Sequence, residues 1–479
     1  MTPQKEFYDV VVVGSGPNGL AAAITAGQKF QSVLLIEAGK TIGGGVRSAE
    51  LTLPLFIHDI CSAVHPLSLT SRFFRSLDFQ RFKPAWIQPE IPLAHPFEDG
   101  SALYLHRSLE LTADSLGSDG KTYRELLAPF VKNHERLFND ILAPFHFPAH
   151  PLLIARFGLK ALHSAKNLAC KIFQREQTRA LFAGLAAHAM VPLEKPATAA
   201  FGIVLAIQAH SVGWPIIEGG SQKIADALAD CFRENGGEIV TGKPITSVEQ
   251  LPKAKFYLFD VTPRGLLNIA GLGLSPRYRR KLSRFRYGPG VCKADFALKE
   301  GIPWKADICR RAGTIHLGNS MEEIDASIRH AFAGKIYSSP YIVLSQQSLF
   351  DPSRAPEGRH TAWAYCHVPH GSTEDVAEMI IDKLERYAPG FRECIMAKNI
   401  MTAADMERHN PNNVGGDING GLQDLRQLYS RPVVSFSPYR TSKKNIYICS
   451  SSTPPGGGVH GLCGYYAAKS LCKKAKGVK

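Results

Sequence analysis

An α/β fold is predicted for this 479-residue chain by three glycine-punctuated stretches. Tyr8-Asp9-Val10-Val11-Val12-Val13 is a continuous β-branched run, which suits a parallel strand buried on both faces. It leads directly into Gly14-Ser15-Gly16-Pro17-Asn18-Gly19 and a small-residue helix, Leu20 to Ala26. In mid-chain, Gly219-Gly220-Ser221-Gln222 opens a helical stretch from Lys223 to Asn235, where Ile224, Ala227, Leu228 and Phe232 share one face. Near the C-terminus the strand-like Asn445 to Cys449 precedes Pro454-Pro455-Gly456-Gly457-Gly458-Val459-His460-Gly461 and another small-residue helix. The hydrophobic content of 44% and charged content of 20% exclude a disordered chain. At this length two to four domains are expected.

The first stretch is the most specific. A second strand, Ser32 to Ile36, ends at Glu37, completing the order strand, GxGxxG, helix, strand, acid. That order defines a Rossmann-type dinucleotide-binding unit. Gly14 makes the tight turn, Gly16 lets the backbone approach a pyrophosphate, and Gly19 lets the helix pack close to the strand. Pro17 and Asn18 lie inside the loop. The helix N-terminus offers N–H groups and a positive dipole end to phosphates. Glu37 stands where a carboxylate can accept ribose hydroxyls. Directly after it, Ala38 begins a second glycine turn, Gly43-Gly44-Gly45-Val46-Arg47. This turn, with Arg47 at its end, can hold the far side of a longer cofactor, which favours FAD over NAD.

In the middle, Glu238 to Val240, Ile245 to Val248 and Phe256 to Pro263 read as strands, and Val248 is counted with the cofactor residues. The second and third stretches therefore return to the sheet that the first begins. The expected division is a discontinuous cofactor domain of residues 1–75, 206–263 and 406–479, with residues 76–205 and 264–405 as a second, α+β substrate domain. In the C-terminal stretch, Gly457, Gly458 and Val459 form a second helix-dipole site able to face a flavin. Asp417, in the loop Val414 to Gly421, is expected either at the ribityl–phosphate region or as a turn-forming residue.

Composition bounds the partners. Fifty-six basic and 42 acidic residues leave a net charge of +14, which can attract phosphates, anionic lipid or acidic ligands. No aromatic or fold pattern for nucleic acid accompanies it. The ten cysteines contain no CxxC pair, and the candidate histidines His58, His65, His367 and His460 show no i, i+4 spacing, so neither a dithiol centre nor a metal is expected. No leader is read, so the thiols are expected reduced and the protein cytoplasmic. No run is long enough to span a bilayer. The stretch Leu152 to Arg175 places Ile154, Phe157, Ala161, Ala165, Leu168 and Ile172 on one helical face, with Arg156, Lys160, His163, Lys166, Lys171 and Arg175 around it. Its two readings are a core-packed helix with a solvated basic face and a peripheral contact with an anionic membrane. The tail Lys469 to Lys479 carries five lysines and reads as a disordered basic end or a weak lipid contact.

Beyond the fingerprint, the chain resembles the FAD-dependent oxidoreductases of the phytoene desaturase-like family, within the amine-oxidase-like flavoproteins. Within that family it resembles the branch called pyridine nucleotide-disulfide oxidoreductase domain-containing protein 2. The resemblance runs end to end. It is carried by Val12 to Gly19, Gly43 to Arg47, His58 to Pro66, Gly219 to Gln222, Arg286-Tyr287-Gly288-Pro289-Gly290 and Pro454 to Gly464. It implies non-covalent FAD in a three-segment domain with an inserted substrate domain, and dehydrogenation of a lipophilic substrate by hydride transfer to the flavin. The electron acceptor is left open. A partner-binding protein stabilised by FAD and a flavin-dependent isomerase are the alternatives. Because the flavin carries the chemistry, few catalytic side chains are needed. His65 and His460 are the candidates for contact with flavin or substrate. His58, His367 and Cys463 also lie in suggestive positions, with buried structural roles as the commoner reading.

Overall fold

The computed structural model describes residues 3–82 and 85–476. Its first layer is a five-stranded, wholly parallel sheet. The spatial order is Ile446–Ile448, Lys253–Phe259, Phe7–Val13, Val33–Ile36, Glu238–Val240, so all three glycine-punctuated stretches contribute. The valine run occupies the centre, paired Val10 to Val33 on one side and Val13 to Phe259 on the other. Alternation then sends Val10 and Val12 into the core beneath helices Pro17–Gly27 and Gln222–Glu234. Val11 and Val13 pack the opposite way, against Leu266, Tyr278 and Leu282. Both faces are therefore buried, as the unbroken apolar run required, and each such valine contributes about 1.5–3 kcal/mol.

The helix Leu462–Lys476 crosses Pro17–Gly27 at very short range. A Cβ on Gly464 would lie 1.7 Å from the Asn18 carbonyl oxygen, so only glycine allows the approach. Lys469, Lys473, Lys474 and Lys476 fall within this helix. That corrects the expectation of a disordered basic end up to residue 476; the last three residues lie outside the described ones.

The second layer is a seven-stranded mixed sheet in the order Ile395–Met401, Gly290–Leu298, His360–Val368, Ile342–Ser345, Ala312–Leu317, Ile91–Pro96, Ala102–Leu105. One face packs on Ile380, Ile381 and Leu384 of helix Ala377–Tyr387. The other looks toward helices Gly120–Val131, Glu176–Ala186 and Thr198–Ser211. The expected α/β architecture is thus present, a parallel sheet with a second, mixed sheet and its helices.

The cores divide the chain at different places from those expected. A boundary at 205/206 would cut helix Thr198–Ser211, whose Ile203, Ala206 and Ile207 share a core with Leu127 and Leu185. That helix belongs whole to the inserted domain. Helices Pro263–Asn268 and Pro276–Ser283 pack on Val11, Ile36 and Phe259, so the segment packed on the parallel sheet continues past residue 263.

Two elements also differ from expectation. The strand at Ile245 to Val248 does not form: Ser247 caps a 3-10 turn, Val248–Gln250, and the Val248 N–H donates to Ala270 O (3.0 Å). The stretch 152–175 is two helices, Pro151–Ala161 and Ala165–Ile172, with the Ser164 hydroxyl accepting from Asn167 N (3.2 Å) to start the second. Phe157, Ala161, Ala165 and Leu168 are core residues, as the core-packed reading held. Leu152 and Leu159, however, are 86% and 73% exposed.

Candidate cofactor and substrate site

The glycine loops meet at the carboxyl end of the central strand. Gly14 has φ +100° and donates its N–H to Ile36 O (2.8 Å). A Cβ on Gly19 would lie 1.9 Å from Gly14 O, and one on Gly44 would lie 2.9 Å from Gly16 Cα. The two glycine turns thus touch, and neither admits a side chain. Gly43 donates to Ser15 O (3.1 Å), and Gly45 O accepts from Ser62 N (3.0 Å). The helix starts at Pro17 with no side-chain cap. Asn18 is buried, with Nδ2 on Ser451 Oγ (3.2 Å) and Oδ1 unpartnered.

Glu37 lies between the two turns. Its Oε2 accepts from Ser15 N (2.9 Å) and Ser15 Oγ (2.6 Å), while Oε1 accepts from Gly39 N (2.7 Å) and Arg47 Nη2 (3.1 Å). All four lone-pair positions of the carboxylate are used, two of them by the rotatable side-chain donors of Ser15 and Arg47, which a ribose hydroxyl would replace. Arg47 therefore lies at the acid end rather than beyond the turn, and its buried Nε has no partner. Ala38 is exposed at the rim. These features fit FAD: an uncapped helix N-terminus, a cradle that any Cβ would fill, a carboxylate at the ribose position, and unpartnered polar atoms on Asn18 and Arg47.

Asp260, at the end of strand Lys253–Phe259, was not singled out by the sequence. Its Oδ2 accepts from Gly19 N (2.9 Å) and lies 2.9 Å from where a Gly16 Cβ would be. Burial pushes its pKa up to about 7, with the Glu37 charge adding to the effect.

The C-terminal loop is built by its own side chains. Gly456 and Gly458 have φ +112° and +119°, and a Cβ on Gly457 would strike Asn419 O (2.9 Å). Val459 O accepts from Ser68 Oγ (2.5 Å). His460 turns inward: its Nε2 pairs with Gly456 O (3.2 Å) and its Nδ1 accepts from Leu462 N (3.0 Å). His65 is likewise engaged, Nε2 with Ser221 Oγ (2.9 Å) and Nδ1 with Ser62 Oγ (3.4 Å). Burial pushes both histidines down to about 4. Both ring nitrogens of each candidate are occupied by protein, so the geometry makes them loop fasteners rather than free acid–base groups. Asp417 accepts from Gly288 N (2.7 Å) and Asn419 N (2.8 Å), the turn-forming alternative. The Cys463 thiol donates toward Thr453 O and Gly456 O, and burial pushes it up to about 12, so it is no nucleophile. Val248 packs on Ala270 and Gly271, at the core that holds Val11, Val13 and Ile36.

Beside these loops stands the seven-stranded sheet. Lys293 and Asp295, both buried, pair with each other on the strand Gly290–Leu298. Asn399 Nδ2 donates to Asp295 Oδ2 (3.3 Å), His58 Nδ1 lies 3.7 Å from Asp295 Oδ1, and Lys293 Nζ lies 5.9 Å from the Trp363 ring. Burial pushes His58 down to about 4. Asp59 is held by Arg354 (3.1 Å), Ser221 N and Ser48 Oγ (2.7 Å each). Sequence reading passed over Lys293 and Asp295. Their only signal was two charges in an otherwise apolar strand. Among the described residues no group of three or more His, Cys, Asp or Glu side chains forms a metal site, and no disulfide forms.

The model of the FAD dependent oxidoreductase family matches residues 9–75, the first glycine unit and its sequel. Over the whole chain, mouse pyridine nucleotide-disulfide oxidoreductase domain-containing protein 2 is 25% identical, covering 98% of this chain and 94% of its own. The 4,4'-diapolycopen-4-al dehydrogenase of Metabacillus indicus is 23% identical, with 94% of each chain covered. Among solved structures, a triple mutant of putrescine oxidase superposes with a TM-score of 0.63 at 15% identity, over 99% of both chains.

Proposed function

We propose that the chain is an FAD-dependent oxidoreductase of the phytoene desaturase-like group and that it dehydrogenates a lipophilic organic small molecule. FAD, when bound, would supply a two-electron acceptor for a hydride from a substrate C–H bond. The chain's own residues bind, orient and exclude water. In this reading Gly14, Gly16, Pro17, Asn18 and Gly19 receive the pyrophosphate, with Glu37 and Ala38 at the ribose. Gly44, Gly45 and Arg47 flank them, and Gly457, Gly458 and Val459 face the flavin ring.

The observation that carries this reading is the cradle itself. Two interlocked glycine turns close on an uncapped helix N-terminus at the end of a five-stranded parallel sheet. The substrate side is supported by the core between sheet and helices, which runs from Leu127 and Leu185 through Val343 and Tyr365 to Ala63 and Ile418, next to those turns. Lys293 and Asp295 form a closed pair there, so neither is free to act as a base, consistent with removal of hydride from an unactivated C–H.

The finer proposal on location is a peripheral contact with an anionic bilayer. No helix among the described residues is long and apolar enough to cross a membrane. Phe145, Phe147, Leu152, Leu159 and Leu162 are all exposed, close in sequence to Arg156, Lys160 and Lys166. Exposed apolar side chains interleaved with lysine and arginine suit the headgroup boundary.

The test is the visible spectrum of the purified protein before and after heating. A yellow protein that releases free flavin, and then bleaches anaerobically with a lipophilic substrate, is the expected result. A colourless protein that takes up no FAD would end the reading, and bound FAD that no substrate bleaches would favour a partner-binding role.

A further inference from the structure

The helix-covered face of the seven-stranded sheet carries a row of side chains set by strand register. Lys293 pairs with Tyr365, Tyr365 with Val343, and Val343 with His316, so the four stand side by side across adjacent strands. Three strand spacings, roughly 15 Å, separate its ends. His367 lies two residues beyond Tyr365 on the same face, between the rings of Tyr365 (5.9 Å) and Tyr341 (6.0 Å). His188 comes down from the turn after helix Glu176–Ala186 and sets its Nε2 3.1 Å from that of His316. The His188 carbonyl in turn lies 3.5 Å from Asn419 Nδ2, and Asn419 packs on Gly457. The row therefore runs to the C-terminal glycine loop.

Several polar atoms of this row lack any protein partner. They are both ring nitrogens of His367, Nδ1 of His316, Oγ1 of Thr314 and Nε1 of Trp363. Buried polar atoms of native proteins nearly always find a partner in protein, water or ligand. Here the unpartnered ones share one face of one sheet. The formal charges nearest the row are already closed into pairs, Lys293 with Asp295 and Lys383 with Glu323. Burial also keeps His188, His316 and His367 uncharged at neutral pH. The wall thus has hydrogen bonds to offer and no free charge of either sign.

We propose that His367, with His188 and His316, binds the oxygen function of an uncharged substrate, a hydroxyl or carbonyl on a lipophilic body, and that the site excludes primary ammonium ions. A neutral imidazole carries one donor and one acceptor, so His367 donates to a carbonyl and accepts from a hydroxyl. A cation would have to open the Lys293–Asp295 pair or remain unpaired in a buried site. The inference deepens the oxidoreductase reading and rests on it for the location of the reacting bond, though not for what the wall binds.

The experiment titrates the holoprotein anaerobically with decanol, methyl octyl ketone, decane and decylammonium. Binding is read by perturbation of the bound flavin spectrum and separately by tryptophan fluorescence, since Trp214 and Trp363 adjoin the row. Decanol and the ketone are expected to bind at least about tenfold more tightly than decylammonium. His367→Phe is expected to weaken decanol about tenfold, the scale of one hydrogen bond, while leaving decane unchanged. His367→Gln should keep part of that affinity. If His367→Phe does not fold, His188→Gln and His188→Phe carry the same comparison from the turn. Equal or tighter binding of decylammonium, or an unchanged decanol affinity in the Phe variants, overturns the inference. Binding that follows this pattern without bleaching by any oxygenated ligand leaves it standing and counts against the oxidoreductase reading. Bleaching by decylammonium does the reverse.

Discussion

Asp260 places a carboxyl group against the loop expected to hold two phosphates. It accepts the Gly19 N–H at the start of the first helix, and burial raises its pKa to about 7 from an ordinary 3.8. The folded protein therefore keeps a proton that the unfolded chain has already lost. Stability from this group is fully present below about pH 4 and falls as pH rises to about 7, by a few kcal/mol. Asp260→Asn is expected to flatten that slope in apo-protein melts taken from pH 4 to pH 7.5. Above pH 7 the ionised carboxylate repels the pyrophosphate, so FAD affinity is expected to fall roughly tenfold between pH 6 and pH 8. Asp260→Asn should hold it constant; a wild-type Kd for FAD that ignores pH would refute the argument. The glycines and Glu37 were legible because their spacing is local. Asp260 was not, because its partner Gly19 lies 241 residues away and the sequence shows it only as one carboxylate within the run Phe256 to Pro263.

At the scale of elements, periodicity showed which faces are buried but not where helices stop. The stretch 152–175 keeps its apolar rhythm across a break at Leu162-His163-Ser164, so the pattern alone joined what Ser164 divides. The serine before Ala165 was the available signal, an N-cap residue. The two faces of helix Pro151–Ala161 predict different outcomes. Phe157 is buried in the main core, so Phe157→Ala should cost about 3–5 kcal/mol and lower Tm without changing sedimentation with anionic vesicles. Leu159 is exposed, so Leu159→Glu should leave Tm unchanged and reduce vesicle binding. Vesicle binding insensitive to Leu159→Glu would remove this helix from the proposed membrane contact. The helix pair Pro17–Gly27 and Leu462–Lys476 gives a further prediction. Gly464→Ala forces a Cβ against the Asn18 carbonyl and is expected to cost about 1–3 kcal/mol in a thermal melt. It should also weaken FAD binding, because the same helix carries the glycine loop at its start. A melt identical to wild type would show that the crossing can spread without loss.

For the whole molecule, the order of segments was readable and the clasp between them was not. Three glycine stretches announced one sheet assembled from distant parts, whereas the pairing of Asp59 with Arg354 spans 295 residues and leaves no periodic trace. Arg354 is fully buried. Its Nε binds Asp351 Oδ2 (2.8 Å), Nη1 binds Asp59 Oδ2 (3.1 Å) and Nη2 donates to Ile217 O (3.0 Å). Asp351 also accepts from Gly219 N (2.8 Å), which ties the turn before helix Gln222–Glu234 to the inserted domain. One guanidinium thus joins segments of both cores. Removing it leaves two buried carboxylates without a counter-charge, a loss of about 3–5 kcal/mol. Arg354→Met is therefore expected to lower Tm and to separate unfolding into two calorimetric transitions, because each core keeps its own packing while the tie between them is cut. Surface ion pairs weaken with salt, but this buried one should not, so the wild-type single transition should persist at high ionic strength. Combining Arg354→Met with Asp59→Asn and Asp351→Asn removes the orphaned charges and should recover much of the lost stability. If Arg354→Met alone melts as one transition at the wild-type Tm, the clasp contributes nothing to domain cohesion, and the two layers are held by their apolar contacts.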